Sequence, residues 1–319
     1  GKGLAYMFQM MNAARISVGC GAAAIASAAY YASLEYARER PQGRRPTEKD
    51  PTRAQVPIIE HADVKRMLLF QRSVVEGSLA VLFQCSMYHD LTCVLEGEER
   101  EKYKLLLDLL TPVAKSYPSE MCVQTVSQGL QVLGGYGYCD EFPLEQYYRD
   151  VRIHPIHEGT TGIHGITLLG RNVSMNSGKA FALYVEEVKE TIRGTDGRAE
   201  LKQQADQLKE VLDQLSHVTR HLLNVGKDKG MELFLADATL YLELFGIITI
   251  AWQWLKQAVS AWMALDRNTS GKDDMFLKGK IQTFKYFFEY ELPKTGYLFR
   301  RLYSNDGLTV EMNSELFDD

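Results

Sequence analysis

The sequence predicts an all-α fold, an antiparallel four-helix bundle followed by a second helical unit. Three observations predict it. Apolar residues recur at helical spacing over most of the chain, and alternating strand-like runs are scarce. The interruptions are rich in Gly, Pro and charge, as the connections of a bundle are. Four long periodic segments come first, and from about residue 177 the pattern changes to a heptad-like stretch and then an aromatic-rich one.

The first helix is expected from about Leu4 to Arg40. Its Ile16–Leu34 stretch, ISVGCGAAAIASAAYYASL, carries no charge over 19 residues, long enough in principle to cross a bilayer. It is mostly Ala, Gly and Ser, so it reads as a helix packed closely on its neighbours, with no membrane span. RPQGRRPTEKDP at 40–51 holds three prolines and reads as a solvated loop. Pro57 suits the first turn of a second helix running to about Glu96. A third begins near Glu98 and extends to Leu133, bent or interrupted at Pro112 and Pro118. GGYGYCDEFP (134–143) is a loop, Leu144–Asp150 a short helix, and a fourth helix is expected from about Thr160 to Asn176.

This places one domain at 1–176 and an additional helical domain at 177–319. In the latter, LKQQADQLKEVLDQL (201–215) sets Leu201, Leu208, Val211, Leu212 and Leu215 on one side. A long helix is expected over 231–265, a turn over 266–274 and a last helix over 275–303, kinked at Pro293. Leu244–Leu255 is too short to span a membrane and reads as buried. Trp252, Trp254 and Trp262 are either core or part of an assembly surface.

A net charge of −5 excludes a general nucleic-acid role, which needs a basic face. The five cysteines lack CxxC spacing, as reduced thiols of a cytoplasmic protein do. No signal peptide is visible, and the absence of an initiator Met suggests a fragment or processed form.

HPIHEGTTGIHG (154–165) is the stretch where chemistry is concentrated. His154, His157, Glu158 and His164 are metal-ligand types. Pro155 denies them the helical geometry of an HExxH site, and no metal is expected. Glu158 has two readings. It is a carboxylate favourably placed before a helix capped by Thr160 or Thr161, or a base at the mouth of a cavity. Gly159 and Gly162 allow close backbone approach and exposed amides there. LQVLGGYGY (130–138) is likewise either a helix C-cap and turn or a cofactor contact. YARERPQGRR (36–45) is a basic helix end, favourable against the helix dipole.

Read in order, three segments resemble the C-terminal half of acyl-CoA dehydrogenases, the FAD-dependent enzymes of fatty acyl-CoA oxidation. MMNAARISVGCGAAAIASAAYYASLEYARERPQG is similar to the first helix of that family's C-terminal bundle, ending in its Arg-containing loop. QTVSQGLQVLGGYGYCDEFPLEQYYRDVRI resembles its flavin-facing Gln-x-x-Gly-Gly segment and Tyr-Arg-Asp helix. IHEGTTGIH resembles its catalytic Glu-Gly-Thr segment. Residues 177–319 resemble, more weakly, the extra helical domain of the longer, methylmercaptopropionyl-CoA dehydrogenase-like members.

The resemblance implies a bundle of that family's C-terminal type and a set of roles. Glu158 becomes the base that removes the α-proton of the acyl thioester, with the β-hydrogen leaving as hydride to the flavin. Gly159 and Thr160 lie against FAD. Arg40, Gln131, Gly134 and Gly135 contact the FAD of a neighbouring subunit. Asn12 and Arg15 hold the CoA part near the thioester. The implied partners are an acyl-CoA substrate, electron-transferring flavoprotein, further copies in a homodimer or homotetramer, and the N-terminal half of the enzyme. Without that half, the chain alone is expected to be inactive. The alternatives are a non-catalytic helical assembly module and an acyl-CoA oxidase.

Three positions depart from the family pattern. His157 stands where an aromatic residue often precedes the Glu. Gly162 stands where Gln commonly follows. The loop reads RPQG where Arg-x-x-Phe-Gly is commoner.

Overall fold

The computed structural model describes residues 1, 3–267 and 271–318. Helices dominate it, and among the described residues the only β-type pairing is an isolated bridge between Pro41 and Pro57. The long elements are α1 (Gly3–Glu39), α2 (Ala62–Val94) and α3 (Gly97–Leu133). The short α4 (Leu144–Val151) and α5 (Thr161–Gly170) follow. Then come α6 (Met175–Arg193), α7 (Ala199–Asp228), α8 (Met231–Leu235), α9 (Ala238–Leu265) and α10 (Lys272–Tyr286). The chain ends in α11 (Thr295–Ser304) and α12 (Leu308–Glu311). Two compact units result, one of residues 1–82 and 114–158, the other of 83–113 and 159–319.

In the first unit, Ala37, Met67, Leu68, Val132, Leu133 and Leu144 form a core at one end, drawn from α1, α2, α3 and α4. Small residues let these helices close up. A side chain at Gly129 would run into Leu144 and Ser33 at 2.6 and 2.8 Å. Ser33 in turn donates to the Ala29 carbonyl at 2.7 Å and to Gln71 Oε1 at 3.2 Å. The loop after α1 is tied back by Ile58 N donating to Arg40 O at 2.8 Å, and Arg44 donates to the Pro51 and Arg53 carbonyls.

The expected interruption of α3 at its prolines does not occur: one helix runs from 97 to 133. Each proline lacks an N–H and so frees the carbonyl four residues earlier. In the second unit, the Asp108 carbonyl freed by Pro112 accepts from Asn172 Nδ2 at 2.8 Å. In the first, the Ala114 carbonyl freed by Pro118 faces the backbone of Gly19 in α1, where any side chain would collide with it.

Two stability predictions follow from those contacts. Asn172→Ala strands a carbonyl beside a nearly buried site. It is expected to cost about 1–3 kcal/mol, read as a lower denaturant midpoint; an unmoved midpoint would mean that water replaces the amide. Gly19→Ala gains about 1 kcal/mol of helix propensity but forces two backbones apart, with an expected net loss of about 1–2 kcal/mol. A more stable variant would show that α1 can shift freely.

In the second unit α9 is the central element, and residues 244–255 are all buried. Its polar neighbours are satisfied internally. Trp252 Nε1 donates to Thr191 Oγ1 at 2.7 Å, and the Tyr184 and Tyr241 hydroxyls meet Thr249 and Thr219 at 3.0 and 2.7 Å. Trp252 and Trp254 are core residues of this unit, 1% and 0% exposed, so of the two readings of these tryptophans the core holds for both. Helix α5 seats on α9, where Gly165 lies so close to the Ala238 carbonyl that a Cβ would stand 2.6 Å away. The segments Met10–Glu39 and Met231–Leu265 are long and apolar enough to cross a membrane by length and composition, a test that a packed core helix also passes.

Several boundaries differ from expectation. The second helix begins at 62, after a 3-10 turn at 58–60. The fourth ends at Gly170, not Asn176, and a 3-10 turn over 172–174 follows; within α6, Asn176, Ser177 and Gly178 are left-handed and mark a kink between two helical stretches. The helix over 231–265 breaks at Asp237, whose carboxylate is held by Arg301 at 3.0 Å. The 201–215 stripe belongs to a longer helix, 199–228. Near Pro293 the chain passes through a π turn (287–291) and a 3-10 turn (292–294) before α11, the expected kink. The turn predicted over 266–274 falls partly outside the described residues.

Candidate active site

Helix α4 ends at Val151, and the chain then winds through irregular turns to α5. Pro155 is buried, and His154 Nδ1 and His157 Nδ1 lie 3.2 and 3.0 Å from the carbonyls of Val151 and Ile153. Both imidazoles are thereby used within the turn. Among the described residues no cluster of three or more His, Cys, Asp or Glu could hold a metal ion. The His154 ring packs against Gly21 of α1, where a side chain would meet Nε2 at 2.8 Å. Burial lowers the His154 pKa from its usual range.

The winding ends on Glu158 at φ 56° and Gly159 at φ 94°. A non-glycine residue in left-handed backbone carries strain on the order of 1–3 kcal/mol. Such strain persists where surroundings over-determine a side chain's direction. The Glu158 side chain is half-buried in the first unit, where Arg15 is an attractive charge. Asn12 Oδ1 accepts from Arg15 Nη1 at 3.3 Å, which fixes the guanidinium one helical turn further along α1. Burial pulls the Arg15 pKa down and Glu158 opposes that pull. Arg15 Nε is buried without a hydrogen-bond partner among the described residues. Asn12, Arg15 and Glu158 therefore form one group.

Arg40, Gln131, Gly134 and Gly135 form another. Gly134, at φ 62°, ends α3 and starts a 3-10 turn over 134–138. No atom lies within 4 Å of where a side chain at Gly134 or Gly135 would begin. Both readings of GGYGY are thus realised: it stops the helix and leaves open space beside bare backbone. Tyr136 from that turn stacks under Arg40, whose Cζ is 5.5 Å from the ring centroid, and Tyr36 and Phe142 complete the aromatic cluster. Arg40 Nε is buried with no hydrogen-bond partner among the described residues. Gln131 is exposed one turn before Gly134. The two groups are far apart: 25 residues along α1 separate Arg15 from Arg40, roughly 37 Å at 1.5 Å per residue.

Gly159 and Thr160 lie in the second unit, at the start of α5. Thr160 takes the N-cap position, but its side chain makes no capping bond. The buried His164 lies against Gly159, with Nε2 3.0 Å from where a Cβ would be. Sequence reasoning passed over Lys115, which is 0% exposed inside α3. Its signal was the one charged residue in VAKSY, the run between two prolines.

Comparison with known proteins fits this arrangement. The family model described as "Acyl-CoA dehydrogenase, C-terminal domain" matches residues 1–173, and "Acetyl-CoA dehydrogenase C-terminal like" matches 184–313. The chain belongs to the acyl-CoA dehydrogenase family. It is 36% identical over 287 residues to the 3-methylmercaptopropionyl-CoA dehydrogenase of Ruegeria pomeroyi, covering 89% of this chain and 48% of that protein. The chain thus spans about half the length of that curated relative. Two solved structures share the fold. An acyl-CoA dehydrogenase from Bacillus anthracis, complexed with FAD, superposes with TM-score 0.72 at 19% identity, over 99% of this chain and 52% of that one. Caenorhabditis elegans ACDH-11, in complex with C11-CoA, gives 0.75 at 18% identity, over 98% of this chain and 49% of that one.

Proposed function

We propose that this chain supplies the base and part of the flavin cradle for dehydrogenation of an acyl-CoA thioester to a trans-2-enoyl-CoA. The observation that carries the proposal is Glu158, a strained, half-buried carboxylate facing Arg15 in a chain of this family. Glu158 accepts the α-proton. That proton is weakly acidic, so the thioester carbonyl needs fixed donors as negative charge develops on it. The backbone N–H of Glu158 is assigned as one donor. Asn12 and Arg15 orient the CoA end of the thioester.

FAD fits the residues present. Gly134 and Gly135 offer open backbone, and the unpartnered Arg40 Nε is a donor waiting for an acceptor such as a phosphate oxygen. Gln131, Gly134, Gly135 and Arg40 would hold one part of the cofactor, and Gly159 and Thr160 another. Bound there, FAD would supply the acceptor for the β-hydrogen, which leaves as hydride. The separation of roughly 37 Å along α1 exceeds the length of an extended dinucleotide. It supports a cofactor shared between subunits, hence a homodimer or homotetramer. Electron-transferring flavoprotein is the proposed electron acceptor and the cytoplasm the proposed compartment; all five cysteines are free thiols. The family matches at 1–173 and 184–313 support a bundle domain at 1–176 and an added domain at 177–319.

Mixing the chain with the N-terminal half of a relative, FAD and an acyl-CoA tests the proposal. A yellow complex that bleaches on acyl-CoA addition is expected, and the chain alone is expected not to turn over. A complex that never takes up flavin would favour an assembly module, and hydrogen peroxide as product would identify an oxidase.

A further inference from the structure

Glycine in the middle of a helix is less favourable than alanine, and α1 carries one at Gly21 whose side-chain space is taken by a single ring. A side chain there would meet three His154 atoms before any others, Nε2 at 2.8 Å, Cδ2 at 3.5 Å and Cε1 at 3.9 Å. The turn that follows α4 thus touches α1 through His154, within the first unit. The ring is fixed from its other edge. A carbonyl only accepts, so Nδ1, 3.2 Å from the Val151 carbonyl, donates to it. That leaves the Nε2 edge against the bare backbone of Gly21. His154 also touches the residue before Glu158: its ring centroid is 5.5 Å from that of His157, with the planes at 67°. The His157 ring lies 3.0 Å from the Ile153 carbonyl through Nδ1, and its backbone N–H donates to the same carbonyl at 3.1 Å. A line of contacts therefore runs from Gly21 through His154 to His157, whose next residue is the strained Glu158. Gly21 lies six residues beyond Arg15 on α1, roughly 9 Å at 1.5 Å per residue.

We propose that His154 is a positioning residue for Glu158: seated on Gly21, its ring fixes the turn over 152–158 against α1, and so fixes the place from which the carboxylate takes the α-proton. This rests on the reading of Glu158 as the base. A residue at φ 56° keeps that conformation only while its surroundings hold it. The hydrogen bonds within the turn set its shape. They do not set where it stands along α1, the helix that carries Asn12 and Arg15. The His154 ring does so, and the missing side chain at position 21 is its seat. Misplacing a reacting group by about 1 Å is enough to slow a reaction about a hundredfold, so a small slip of this seat is felt in the chemical step.

The test follows solvent exchange of the α-hydrogen of butyryl-CoA on the flavin-loaded enzyme containing this chain. His154→Ala should exchange about ten- to hundredfold more slowly, with little change in KM. Gly21→Ala favours the helix but drives the ring off its seat, and should slow exchange by a similar factor. In a His154→Ala background the added methyl meets no ring, so Gly21→Ala should slow exchange no further; such non-additivity marks two residues in contact. Wild-type exchange in His154→Ala, or an equal loss from Gly21→Ala in both backgrounds, would overturn the proposal. Should His154→Ala not fold, Gly21→Ala decides by deuterium uptake. The Ile156 and His157 amides, both bonded to the Ile153 carbonyl, should then exchange about tenfold faster than in the wild type while those of α3 stay unchanged. Unmoved uptake at both would overturn the proposal. Exchange of the α-hydrogen that survives in Glu158→Gln would instead sink the reading of Glu158 as base, so the two failures are distinct.

Discussion

Glu158→Gln is expected to slow reduction of the flavin by acyl-CoA by about 10²–10⁴-fold, the usual worth of a general base. FAD binding and thermal stability should stay near wild type. The amide has the shape of the carboxylate and keeps its place on the left-handed turn. What it loses is the negative charge that makes the carboxylate basic enough to take the proton. Arg15 then faces a neutral group, so acyl-CoA binding should change far less than the chemical step. Stopped-flow absorbance of the flavin measures the step directly. A loss smaller than tenfold would mean that the proton leaves by another route.

The largest effect on stability is expected at Trp254. It is 0% exposed in α9, with Lys280 5.8 Å from its ring centroid. Trp254→Ala removes the indole from a helix surrounded on all sides and leaves a cavity that α9 cannot close, since its residues 244–255 are buried throughout. The expected cost is about 3–5 kcal/mol, seen as a lower denaturant midpoint of the transition that reports the second unit. A loss below about 1 kcal/mol would show that this part of the core relaxes into the space.

How much of this was legible in the sequence depended on the physical origin of each feature. Helical periodicity located α1, α2, α3 and α9 because each buries a long apolar face. The continuity of α3 was not legible. Proline is a local signal, and what meets the freed carbonyls is distant in sequence: the Asn172 amide bonds the one freed by Pro112, and Gly19 packs closely on the one freed by Pro118. The break at Asp237 was hidden for the same reason, its anchor being Arg301, 64 residues away. At the candidate site, HPIHEGTTGIHG announced a turn, but the left-handed backbone at Glu158 came only with coordinates. The pairing of Arg40 with the GGYGY turn needed α1 and α3 laid side by side.

The most direct test of the central claim is a crystal structure of the flavin-loaded enzyme containing this chain with a non-reactive acyl-CoA thioester bound. A carboxylate oxygen of Glu158 should lie about 3–3.5 Å from the α-carbon, the separation from which a proton can be removed. Arg15 should stand behind that carboxylate. A thioester bound elsewhere, or Glu158 turned to solvent with no substrate carbon beside it, would contradict the account.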